Sequence, residues 1–293
     1  WIDKVRPFGI VRDELATLAR QGEDFRRIIA PAKDDLLHPL AEFLKVFDVR
    51  TVYPFLLVVL DAKLSDQEVC AISTILESYL LRRAMCGLTT KNYNRVFLQL
   101  SRVLREQPPT AAIVQESLAK LTGESAVWPN DERFGTAWME MLAYQTLNNP
   151  KIVHILRRLS DAYLGAKNEQ LRIDGQLTVE HILPRNWTKH WPLQDGSNGL
   201  AANELLEADP GDVRAEATRR RNTILQTLGN LTVITQSLNA SVSNREWKIK
   251  KPELLKCSLL PINQQLHSVE MWDETEIEKR GKELFRRALA IWP

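Results

Sequence analysis

The chain has 293 residues, 44% hydrophobic and 26% charged, with a net charge of +2. At roughly 150 residues per domain this predicts two domains, with one large domain the alternative, and excludes disordered, collagen-like and disulfide-scaffold classes. Three cysteines, Cys70, Cys86 and Cys257, lack CxxC spacing, which excludes a disulfide framework or zinc ribbon and fits a reducing cytoplasm.

The chain opens on Trp1 without a basic-then-apolar leader, which predicts a fragment carrying no export signal. Helical spacing of Leu15, Leu18, Ala19, Phe25 and Ile29 predicts a helix over 13–29. The longest apolar run, Phe55 to Leu60, is stopped by Asp61 and falls far short of the roughly 18 residues of a membrane helix. Ser65 with Glu68 three residues on predicts a capping box ahead of a long helix that Gly87 ends. Further helices are expected over 92–106, 110–121, 131–144 and 150–164, an irregular helical domain covering 1–170.

Near Gly175 the texture changes. Leu177, Val179, Ile182 and Leu183 predict a short strand ended by Pro184. A long polar loop follows over 187–211, then a helix over 213–228 broken by Gly229. Leu231–Thr235 is rich in β-branched residues and predicts a second strand. Helices over 238–250 and 274–291 complete a second domain, 171–293. Between Arg214 and Lys256 nine basic residues face only Glu216, Glu246 and Glu253, a concentration suited to a polyanion or, equally, to a solvated helix face.

Chemistry concentrates in Glu180-His181-Ile182-Leu183-Pro184, Gly229-Asn230-Leu231, Leu238-Asn239 and Ser243-Asn244. Hydrolysis of a phosphodiester needs a base for the attacking water and a cation for the leaving alkoxide. Histidine is the side chain whose ordinary pKa lies nearest neutrality, which suits His181 as the base. The carboxylate of Glu180 and the amide oxygen of Asn239 are hard donors of the kind that take Mg²⁺ or Mn²⁺. Each residue also has a plainer role: a core histidine, a turn asparagine at Asn230, helix caps at Asn239 and Asn244. Trp187 and Trp247 are core anchors by default, with base stacking as the alternative.

EHILP followed by GNLTVITQSLN and SN resembles the ββα-metal fold of HNH endonucleases, with Asn230 and Asn239 nine residues apart. Adding ESYLLRRAMCGLTTKNYNRVF, EHILPRNW and a terminal helix ending in IW, the chain from about Ile75 onward resembles the C-terminal half of GmrSD-type restriction enzymes, bacterial modification-dependent nucleases. The resemblance implies a mostly α chain in which an irregular helical domain precedes a small ββα-metal core. It makes His181 the base, Glu180 and Asn239 the Mg²⁺ or Mn²⁺ ligands, and Asn230 the residue that holds the His181 loop. Asn244 would steady the helix or touch phosphate, while Arg219, Arg220, Arg221, Arg245, Lys248, Lys250 and Lys251 would grip the DNA backbone.

The implied function is a double-stranded DNA endonuclease of antiviral defence that nicks one strand per event, partnered by an N-terminal nucleotide-binding sensor domain outside this chain. Two departures stand out. Glu180 occupies a position where many relatives carry Asp, and an Asn replaces the helix His of the name-giving motif. His181 and Asn230 lie 49 residues apart, a wider gap than compact HNH modules use, which implies an insertion. A helical DNA-binding or interaction module with a decayed site, and an RNA-directed nuclease, are the alternatives.

Overall fold

The computed structural model describes residues 11–107, 109–165, 175–236, 238 and 244–293. The chain divides into two compact units, Trp1–Pro129 with Trp292 and Asn130–Ile291 with Pro293. By packing, the division between the two units falls at Asn130.

The first unit is helical among its described residues: α1 (Val11–Ile29), α2 (His38–Phe47), α3 (Tyr53–Asp61), α4 (Asp66–Met85), α5 (Tyr93–Glu106) and α6 (Ala111–Ala119). Ser65 caps α4, its hydroxyl accepting from the Glu68 N–H. The reciprocal half of the expected box is replaced by a longer-range bond, for the Glu68 carboxylate accepts from Ala111 N at 2.5 Å and so ties the start of α4 to the start of α6. Past α4 the chain turns at Gly87, whose φ of 64° is the left-handed conformation glycine adopts without strain. Arg83, fully buried, donates to the carbonyls of Val127, Thr89 and Glu124, so this cation serves the loop around it.

The second unit contains α7 (Asp131–Glu140), α8 (Ala143–Thr146), α9 (Asn149–Asp161), β1 (Leu177–His181), α10 (Ala202–Glu207), α11 (Val213–Ile224), a 3₁₀ turn at Leu228–Asn230, β2 (Leu231–Thr235), α12 (Trp247–Cys257), α13 (Pro261–Gln264), a second 3₁₀ turn at Gln265–Ser268, and α14 (Glu274–Ile291). β1 and β2 pair antiparallel, with Glu180 opposite Thr232 and His181 opposite Leu231. Helix α9 lies against both strands, and α14 against the first 3₁₀ turn, α7 and α9. This is why the helices from Asn130 onward belong to the same unit as the strands.

The core beneath the strand ends gathers Ile182, Leu183, Trp187, Trp191, Leu225, Ile234, Trp247, Leu254, Trp272 and Ile277. Trp187 is 1% exposed, its indole N–H donating to Asn222 and its ring lying beneath the Arg221 guanidinium. Trp247 is buried against Trp272. Both tryptophans are buried core anchors here.

The polar stretch 187–211 contains one short helix, α10. The single helix expected over 238–250 is not seen: Leu238 is helical, residues 244–246 are turn or coil, and a separate helix, α12, starts at Trp247 and runs through Pro252 to Cys257. No helix among the described residues is long and apolar enough to cross a membrane.

Candidate active site

Alternation along a strand sends neighbouring side chains to opposite faces, and β1 obeys it at its C-terminal end: His181 is buried and Glu180 only partly so. His181 retains 6% exposure. Its ring stands edge-on to Tyr144, with centroids 4.4 Å apart and planes at 69°. Its Nε2 lies 3.3 Å from Gln226 Oε1. A carbonyl oxygen only accepts, so this contact puts the proton of the neutral ring on Nε2 and leaves the lone pair on Nδ1. Burial pushes the imidazole down from 6.5 to about 4; the Gln226 bond opposes the shift, and the charges of Arg185 and Lys250 reinforce it. The ring is therefore neutral at pH 7, always able to take a proton but with reduced basicity.

Beyond β1 the chain is fastened to the 3₁₀ turn. The fully buried Asn230 accepts through Oδ1 from Leu183 N at 2.8 Å and Trp272 Nε1 at 3.0 Å. Through Nδ2 it donates to Leu183 O at 2.9 Å and Leu225 O at 3.0 Å. Its backbone carbonyl accepts from Ile182 N. The turn itself is held from the other side by Arg280, which donates to the carbonyls of Gly229 and Leu231 at 2.7 and 2.8 Å. Gly229 is required by this approach, since a Cβ there would lie 2.3 Å from the Ile277 carbonyl oxygen on α14.

On the other face of β1, Lys250 reaches from α12 and donates to Glu180 Oε1 at 2.5 Å and to the His181 carbonyl at 2.6 Å. The lysine side chain is 0% exposed and that of Glu180 15%. A metal held by Glu180 would meet this ammonium at once. Asn239, the other expected ligand, lies outside the described residues. Among the described residues no three His, Cys, Asp or Glu side chains come together. Glu180 already balanced by a buried cation does not fit a resident divalent ion.

The structure separates the basic residues expected to grip DNA. Arg221 is buried and forms a two-pronged pair with Glu274 at 2.5 and 2.9 Å, donating also to the carbonyls of Trp191 and Pro192. With Lys250 it is removed from the list of phosphate contacts, because each is enclosed and holds its carboxylate partner in the fold. Arg219 and Arg220 are exposed, the first donating to the Leu205 carbonyl and the second paired with Glu278. Lys251 donates to the Val269 carbonyl. Asn244 and Lys248 are exposed, as is Arg245, 3.7 Å from Glu253.

Sequence reasoning missed Tyr144, Gln226 and Arg185. Arg185 is exposed, four residues beyond His181, with its guanidinium 5.4 Å from the centre of the Tyr144 ring. Among the described residues it has no ion pair. Its place directly after EHILP was a signal; Tyr144 and Gln226 carried none, lying in segments that read only as helix.

The chain matches the family described as GmrSD restriction endonucleases, C-terminal domain, over residues 128–287. No curated protein matches it.

Proposed function

Because the chain belongs to the family of GmrSD restriction endonuclease C-terminal domains, we propose that its second unit hydrolyses phosphodiester bonds in double-stranded DNA as the cutting half of a defence enzyme. The observation that carries this reading is the neutral His181, held by Gln226 and Tyr144, with the Arg185 guanidinium on the same Tyr144 ring and without an ion pair among the described residues. His181 Nδ1 takes the proton as a water oxygen attacks phosphorus. The bond from phosphorus to the leaving oxygen then breaks, and that oxygen is protonated by solvent. Arg185 meets the phosphate oxygens, where negative charge accumulates in the transition state. Asn230 keeps the turn after β1 rigid, so that base and guanidinium stay in register.

A single centre addresses one phosphate, so each event nicks one strand. Lys248, Arg245, Arg219 and Asn244, all exposed, supply backbone contacts without base reading. Glu180 is held by Lys250. The test is supercoiled plasmid incubated with the chain in Mg²⁺ buffer, beside a structured RNA. Open circles and intact RNA are expected. Intact plasmid with retained DNA binding would make this a binding module, and degraded RNA would redirect the substrate.

A further inference from the structure

The geometry points to Lys250 as the resident cation of Glu180: the ammonium occupies the place beside the carboxylate that a metal ion would take, and a divalent ion gains Glu180 only by displacing it. The donor atom lies 2.5 Å from Glu180 Oε1 and 2.6 Å from the His181 carbonyl. Two adjacent residues of β1, on a strand fixed in register by β2, are thus bound by one side chain. Lys250 is not free to swing away. It sits one turn into α12, between the buried Trp247 and Leu254, and its stem is wholly enclosed. Trp247 in turn packs against Trp272, which donates to Asn230.

Electrostatics makes the two cations exclusive. A divalent ion ligated by Glu180 would carry two charges within about 4 Å of an ammonium shielded from water, where repulsion between like charges is strongest. A buried ammonium without its carboxylate would be equally unfavourable, so the pair persists until something removes the lysine. Lys250 is a positioning residue: it orients the carbonyl end of His181 and silences the carboxylate next to it. The inference deepens the nuclease reading by fixing what Glu180 does in that site. Its test measures metal rather than cleavage, so a chain that never cut DNA would sink the nuclease reading and leave this one intact.

The experiment is a Mn²⁺ titration of the full chain followed by electron paramagnetic resonance, on wild type, E180Q, K250M, K250R and K250M/E180Q, with circular dichroism to verify folding. Wild type, K250R and E180Q should bind Mn²⁺ alike and weakly. K250M should gain a site about tenfold tighter or more, which the double variant loses. A wild-type site that disappears in E180Q, or a folded K250M that gains nothing, overturns the proposal. Should K250M fail to fold, the comparison of wild type with E180Q still decides: parity supports the lysine as resident cation, and loss of binding in E180Q contradicts it.

Discussion

The 3₁₀ turn at Asn230 and the strand end at His181 are neighbours built on opposite rules. In the turn, the Asn230 side chain makes four hydrogen bonds, and Arg280 holds the flanking carbonyls. At the strand end, by contrast, the imidazole makes one side-chain hydrogen bond through Nε2, and Arg185 stands without an ion pair among the described residues. A group whose bonding capacity is filled holds shape, and a group left with capacity can act on a substrate. The proposed division of labour between Asn230 and His181 follows from that contrast.

The largest effect expected from breaking the contrast is on the turn. Asn230→Ala removes both ends of a buried amide and takes the side-chain partner from Leu183 N–H, Leu183 C=O, Leu225 C=O and the Trp272 indole. Each buried group left unsatisfied costs about 1–3 kcal/mol, so a loss of about 4 kcal/mol is expected. Urea unfolding monitored by circular dichroism reads it, and a loss below about 1 kcal/mol would show the turn to be redundant.

Acid sharpens the comparison from the other side. His181 has a folded-state pKa of about 4 against 6.5 when unperturbed. Below pH 6.5 the unfolded chain takes up a proton that the folded chain refuses, so the contribution is complete above 6.5 and is lost as pH falls toward 4. The span is about 3 kcal/mol at 1.36 kcal/mol per pH unit. Urea midpoints at pH 7.5 and 4.5 should diverge less in His181→Asn than in wild type; an equal divergence would refute the burial argument.

A smaller, purely functional effect is expected at Arg185. Arg185→Gln should leave the unfolding midpoint unchanged, because the guanidinium is exposed. Its nicking rate should fall about tenfold or more, with Arg185→Lys restoring only part because an ammonium offers phosphate no fork. An unaltered rate in Arg185→Gln would leave the phosphate without its assigned contact.

The strands and the closing helix were legible in the sequence because each is governed by local periodicity. Leu231–Thr235 and Glu274–Ile291 have the expected bounds. The proposed site could be read as residue types in order, and the fold brings His181 and Asn230 together across 49 positions. Charge was not legible. Arg221 meets Glu274 53 residues away, and Lys250 meets Glu180 70 residues away. A run of basic residues cannot reveal which of them burial has already paired. Tyr144 escaped for the same reason, since nothing local ties it to a histidine far along the chain. Of the helix expected over 238–250, Leu238 is helical, residues 244–246 are not, and α12 begins only at Trp247, while Asn239 lies outside the described residues.

The most direct test of the account is the initial rate of plasmid nicking by His181→Ala, measured beside wild type at matched DNA occupancy. Removing a positioned base typically lowers a rate about 10²- to 10⁴-fold. Since the proposed backbone contacts come from exposed residues elsewhere in the unit, binding in a gel shift should be unchanged while open circles cease to accumulate. A variant that nicks at the wild-type rate with the same DNA affinity would show that the proton is taken by another group, and the assignment of His181 as the base would be wrong.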